Sequence, residues 1–189
     1  FYRTGEYKPA EETRQCPSNA MNVNWPSNMR RLFQLYGGQL IEGKDSDGKK
    51  IIKKIILPSL EEIKEDMFAY SITNNETEGI IWQFYNERHM IGNLHSTIEP
   101  HGAVAWGATQ RFRQETGYDG KIITFETAHP AKFPEILERR GIQPELPPCL
   151  AGLVGKPHGR FFELGNDYDA VKEITIKLYQ QELARQNLN

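Results

Sequence analysis

Residues 121–141, KIITFETAHPAKFPEILERRG, set a β-type run directly against a helix that a proline opens. The β-branched and aromatic residues of KIITFE predict a strand. Pro130 suits the first position of a helix, Pro134 has to be accommodated within its first turn, and Gly141 ends it. Thr127 is then the first residue past the strand, and His129 immediately precedes the proline. In open α/β sheets ligands bind beyond the carboxyl ends of the strands. A helix N-terminus placed there offers free N–H groups. The Thr127 hydroxyl is therefore expected to face such a crevice. Thr127 and His129 are equally suited to capping the helix near Pro130, and the residues alone leave both roles open.

The rest of the chain alternates helix and strand patterns. In PSNMRRLFQLYGG, Met29, Leu32, Phe33 and Tyr36 fall on one helical face, with Ser27 as N-cap and Gly37-Gly38 as the stop. Asp45-Ser-Asp47-Gly resembles the start of a calcium loop, but Ile56 stands where the twelfth-position Glu is needed, so an exposed turn is expected. The Lys and Ile pairs that follow read as an amphipathic helix or a charged edge. Ser59 with Glu62, and Thr73 with Glu76, form capping-box patterns. The second opens a helix whose Ile80, Ile81, Phe84 and Tyr85 face inward. MFAYSI suits a strand. In GAVAWGATQRF, Ala105, Ala108 and Phe112 share a face whose small residues allow close approach to a sheet. A Pro/Gly-rich connector follows Gly141, and a closing helix from about Asp169 carries Val171, Ile174 and Leu178 on one face. The alternation predicts an α/β fold, a layered sheet flanked by helices. Residues 1–145 form its α/β region and 146–189 its connector and closing helix.

Several classes of function find no support. With 189 residues and a formal charge of −2, the chain suits one domain and carries no basic footprint for nucleic acid. No apolar run approaches the roughly 20 residues a membrane span needs. Cys16 and Cys149 are too few for a disulfide framework, so a reduced, cytoplasmic protein is expected. In AGLVGKPHG, Pro157 follows Lys156 and disfavours the helix that a phosphate loop requires. His95, His101, His129 and His158 lie on different elements with no metal-ligand spacing, so no metal site is expected. There is no GxSxG nucleophile elbow.

ETAHPAKFPE closely resembles the TAHPAKF motif near the C-terminal end of threonine synthases of the bacterial and fungal type. Other stretches resemble the family in the same order: TGEYKP, SNAMNV, PSNMRRLFQLYGG and EPHGAVAWGA. The resemblance runs from Phe1 to about Gly141. Three positions depart from the family pattern: Asn22 stands where Asp is frequent, Glu126 where a small residue precedes Thr, and Gly102 where Thr or Ala is common.

The resemblance implies a fold-type II, pyridoxal-phosphate-dependent carbon–oxygen lyase that converts O-phospho-L-homoserine and water to L-threonine and phosphate. It implies that Thr127 meets the pyridine nitrogen of the cofactor. It marks His129, Asn19 and Asn28 as candidate substrate-binding residues, for which turn and cap roles are the alternative. It assigns no catalytic residue here, because the family's Schiff-base lysine and glycine-rich loop lie upstream; Lys132, inside the motif, is not that lysine. The resemblance therefore implies the C-terminal part of a longer enzyme, inactive without its N-terminal part, consistent with a chain that begins at Phe1. The competing expectation is a non-catalytic α/β ligand-binding or regulatory module derived from such an enzyme.

Overall fold

The computed structural model describes all residues except 11, 24–25, 49, 88–89, 92–93, 96, 158, 160, 166 and 187–189; the side chains of 21, 50, 90–91 and 94–95 also lie outside the description. The chain forms two compact units, Phe1–Leu146 and Pro147–Asn189.

The first unit opens with irregular chain and the short helix α1 (Met29–Leu35). Phe33 and Tyr36 are its buried residues, as the spacing predicts, and Gly37 ends it at φ +76°. Phe33 is fully buried and meets the rings of Phe1 and Tyr7. The stretch read as an amphipathic helix or charged edge is a strand. β1 (Gln39–Lys44) pairs antiparallel with β2 (Lys50–Ile56), with an irregularity between Ile41 and Glu42. Lys53 and Lys54 place charge on this two-stranded ribbon, which keeps its free edge soluble. The Asp45–Gly48 segment is its turn: Asp45 accepts from the Asp47 N–H at 3.0 Å, and Gly48 takes φ +77°. A second small antiparallel pair joins β3 (Met90–Ile91) to β4 (Leu94–His95).

Helices α2 (Leu60–Asp66), α3 (Asn74–Asn86), α4 (Pro100–Thr116) and α5 (Pro134–Glu138) complete the unit. α3 opens on the full capping box, with Thr73 Oγ1 accepting from the Glu76 N–H at 3.3 Å and Glu76 accepting from the Thr73 N–H at 2.7 Å. Thr73→Ala is expected to cost about 1 kcal/mol, read as a lower urea midpoint with an unchanged slope. Ile81 and Phe84 are buried, and Ile80 packs against the core. Tyr85 does not face inward as expected; it is 43% exposed.

Where the sequence predicts one helix after His129, there are two short pieces. Pro130–Lys132 is a 3-10 turn, and α5 begins afresh at Pro134. Phe133 breaks the run at φ −127°, ψ 50°, because a residue before proline is pushed out of the helical basin. Beyond α5, Gly141 at φ +70° reverses the chain. The Ile142 N–H bonds the Leu137 carbonyl at 3.0 Å, which drops Ile142 fully into the core.

α3, α4 and α5 enclose the main core, with Ile81, Phe84, Ala103, Phe133, Ile136 and Leu137 at its centre. α4 packs on α3 rather than on a sheet. A Cβ at Gly107 would lie 2.7 Å from Ile80 Cδ1, so the close helix–helix approach is made at Gly107, while Ala105, Ala108 and Phe112 are half-buried. The described residues therefore hold helices and two-stranded antiparallel sheets, an α/β arrangement without the expected layered sheet. MFAYSI and KIITFE pair with no strand among the described residues. A strand needs a neighbour to satisfy its backbone, and neither run has one here. Ile123 and Phe125 are accordingly 82% and 78% exposed.

The second unit contains α6 (Pro148–Ala151) and the closing helix α7 (Tyr168–Gln186). Ile174 and Leu178 of α7 are half-buried beside Phe161 and Phe162, whereas Val171 is exposed. The GxxGK stretch is a turn after α6 with Gly155 at φ +75°, and His158 lies outside the described residues. Among the described residues, no helix is long and apolar enough to cross a membrane.

Candidate functional site

The TAHPAKF segment is fixed by a carboxylate 28 residues earlier in the chain. Glu99 caps α4 and is fully buried. Pro100 at the first helical position has no N–H, so the donors to be satisfied are those of His101 and Gly102. Glu99 Oε1 accepts from the Gly102 N–H at 3.0 Å and from the Thr127 N–H at 3.4 Å. Glu99 Oε2 accepts from the His101 N–H at 2.8 Å and lies 2.6 Å from His101 Nδ1. Carboxylates are favoured at a helix N-terminus, where N–H groups and the helix dipole converge. They are tolerated in a protein interior only when hydrogen-bonded in this way. Because the carboxylate Oε2 only accepts, Nδ1 carries a hydrogen. Nε2 is buried and has no partner among the described residues.

Glu126 returns the tie. Its Oε1 accepts from the Glu99 N–H at 2.7 Å. Two positions that depart from the family pattern meet here: a Cβ on Gly102 would lie 3.2 Å from Glu126 Cγ. The missing side chain at 102 makes room for the larger one at 126. The Glu126 carboxyl is pushed above its ordinary value, first by burial; the Glu99 N–H pulls it back, the Glu99 charge raises it and His129 lowers it. A raised carboxyl pKa means that the folded chain binds this proton more tightly than the unfolded chain. Its contribution to stability therefore falls as pH rises from the ordinary carboxyl range through the folded value. Glu76 has the opposite sign: its bonds from Thr73 lower its pKa, so its contribution is lost as pH falls through the folded value. Glu126→Gln keeps an acceptor for Glu99. It is expected to raise stability at neutral pH and to flatten the decline above the carboxyl range, as read from urea midpoints between pH 4 and 8. A lower midpoint at pH 7 would contradict this reading.

Thr127 is exposed, and its hydroxyl makes no hydrogen bond among the described residues. His129 is exposed and acts as a cap: its Nδ1 accepts from the Ala131 N–H at 3.1 Å. Asn19 opens a 3-10 turn, Asn19–Met21. Asn28, rather than Ser27, is the N-cap of α1. Its backbone is already helical, at φ −70°, ψ −22°, and its side chain makes no capping bond. Among the described residues, no hydrogen bond or ion pair joins Asn19 or Asn28 to Thr127 or His129. The two motif regions nevertheless share neighbours. Asn74 of α3 donates to the Gln15 carbonyl at 3.2 Å, and Cys16 and Pro17 border a small cleft with Ile136 of α5 and Arg139 just beyond it.

A larger cleft of about 770 Å³ lies between α3 and α4 and includes none of these four residues. The ion pair of Glu76 and Arg111 spans its wall. Among the described residues, no group of three or more His, Cys, Asp or Glu side chains is placed to hold a metal ion. The side chain of His95 lies outside the described residues. Glu99 is the residue that the sequence did not single out. Its one signal was its place before Pro100, in a motif noticed only for its family likeness.

A family model described as threonine synthase, C-terminal, matches residues 102–175. Residues 102–175 are thus similar to the C-terminal region of threonine synthases. The match takes in Thr127 and His129 and begins immediately after His101. Threonine synthase of Pseudomonas aeruginosa is 28% identical, over 72% of this chain and 29% of its own length. Threonine synthase of Eremothecium gossypii is 25% identical, over 70% of this chain and 28% of its own. Threonine synthase of Schizosaccharomyces pombe is 26% identical, over 70% and 30%. The chain thus spans less than a third of the length of these relatives. No solved structure matches it significantly.

Proposed function

We propose that this chain supplies the C-terminal region of a cytoplasmic threonine synthase, a pyridoxal-phosphate-dependent lyase converting O-phospho-L-homoserine and water to L-threonine and phosphate. The observation that carries the reading is the collinear set of motifs, SNAMNV, PSNM, EPHGAVAWGA and ETAHPAKF, in a chain similar to threonine synthases over about 70% of its length. Residues 1–145 contribute to the α/β region and 146–189 form its connector and closing helix. The KIITFE run, with Ile123 and Phe125 exposed, suits a strand completed by a fold-type II sheet from the N-terminal part of the enzyme.

The site residues fit the cofactor. Thr127 offers an exposed neutral hydroxyl with both a donor and two lone pairs, so it can meet a ring nitrogen in either protonation state. Its backbone is held independently by Glu99, leaving the hydroxyl available. The cofactor, when bound, withdraws electrons from the substrate carbons. This chain's part is to hold the ring nitrogen through Thr127 and to offer substrate contacts from His129, Asn19 and Asn28. The Schiff-base lysine comes from the N-terminal part.

The test compares the complete gene product with residues 1–189, each with pyridoxal phosphate and O-phospho-L-homoserine. The complete product is expected to release phosphate and form threonine, and residues 1–189 to stay at the free-cofactor blank. A complete product that binds no cofactor and releases no phosphate would overturn the proposal and favour a non-catalytic module.

A further inference from the structure

We infer that Glu99 is a positioning residue for the cofactor site: it sets the height and direction of the TAHPAKF loop by gripping the Thr127 N–H. The inference rests on the threonine synthase reading above.

The argument is geometric. One fully buried carboxylate takes the backbone N–H groups of His101, Gly102 and Thr127 together with His101 Nδ1. Three of these four groups belong to the start of α4, which packs on the rigid core of α3 and α5. The fourth belongs to a segment that has no strand partner among the described residues and whose Ile123 and Phe125 are exposed. The bond from Glu126 to the Glu99 N–H closes the loop on the other side of Thr127. The position of Thr127 is thus referred to the helix through Glu99, whose side chain holds the Thr127 N–H, and Glu126, whose side chain holds the Glu99 N–H. A misplacement of about 1 Å at a reacting centre can cost about 100-fold in rate, so a group that fixes this segment is felt at the cofactor. Glu99 touches neither cofactor nor substrate in this reading. His101, held by the same carboxylate, packs its ring 5.4 Å from that of Phe133, which ties the clamp to the motif.

A helix cap also stabilises, so the test separates positioning from stability. Glu99→Gln keeps the size of the side chain, but its amide can present only one acceptor oxygen where the carboxylate presents two. Thr73→Ala removes a cap from α3, far along the chain, and serves as the stability control. In residues 1–189, amide hydrogen exchange at Thr127 is expected to quicken at least tenfold in Glu99→Gln and to stay at the parent rate in Thr73→Ala. In the complete enzyme, Glu99→Gln is expected to weaken pyridoxal-phosphate affinity about tenfold and to shift the absorbance of the bound cofactor. Thr73→Ala should do neither, and Glu99→Asp should recover part of the affinity. The inference is overturned if Glu99→Gln leaves both Thr127 exchange and cofactor affinity at the parent values, or if Thr73→Ala loses as much affinity. A parent enzyme that binds no cofactor sinks the threonine synthase reading and this inference with it. A parent that turns over normally beside an unaffected Glu99→Gln sinks the inference alone.

Discussion

Leu137→Ala should cost about 2–5 kcal/mol. Leu137 is fully buried at the end of α5, where α3 and α4 close over it. Its backbone is committed as well, since its carbonyl takes the N–H groups of Arg140 and Ile142. The chain there cannot slide to refill the space, so removal of the side chain leaves a cavity among Ile81, Phe133, Ile136 and Ile142. A loss of this size is a large share of the roughly 5–15 kcal/mol that keeps a typical domain folded. It should be read from urea unfolding as a lower midpoint with an unchanged slope. Leu35→Ala is the comparison: Leu35 is 74% exposed and should move stability by less than about 0.5 kcal/mol. If the two variants unfolded alike, the core assigned to α3, α4 and α5 would be wrong.

What was legible in the sequence was local. The Thr73–Glu76 box, the Phe33/Tyr36 face, the Asp45–Gly48 turn and the stop at Gly141 depend on residues within a few positions of each other, and each formed as read. KIITFE and MFAYSI failed for the opposite reason. β propensity describes a surface that suits pairing, and pairing requires a second strand that no pattern within the run can supply. The break at Phe133 was half visible, since Pro134 was recognised as an obstacle, but the chain restarts at it instead of bending around it. Glu99 was hidden more deeply. Glutamate is not a favoured N-cap, and its role appears only when Thr127, far away in sequence, arrives beside it. The neighbourhood of Gly102 and Glu126 was hidden in the same way. Each stood out as a separate departure from the family pattern, and only contact makes them one feature.

Thr127→Val in the complete enzyme isolates the hydroxyl from everything else that residue does. Valine has the same branched shape and keeps its backbone N–H, so the bond to Glu99 survives. What is lost is the group proposed to meet the pyridine nitrogen. A buried polar atom left without its partner costs about 1–3 kcal/mol, which corresponds to roughly 5- to 150-fold, since 1.36 kcal/mol is one factor of ten. Part should appear as weaker cofactor retention, and the remainder as a slower rate in the steps where charge on the ring changes most. Thr127→Ser keeps the hydroxyl and should stay within a few-fold of the parent. Thr127→Asp is the sharper variant, because the structure places two carboxylates beside it already: Glu126 next in sequence and Glu99 bonded to its N–H. A third acid should lower the stability of the empty enzyme above the carboxyl range. Once the cofactor binds, it should also favour a protonated ring nitrogen and raise side reactions such as transamination. The measurements are cofactor affinity, steady-state rate and absorbance during turnover for the three variants. A Thr127→Val enzyme equal to its parent in both affinity and rate would reduce the hydroxyl to a surface group and leave TAHPAKF with only its structural task of carrying the chain from the Glu99 clamp into α5.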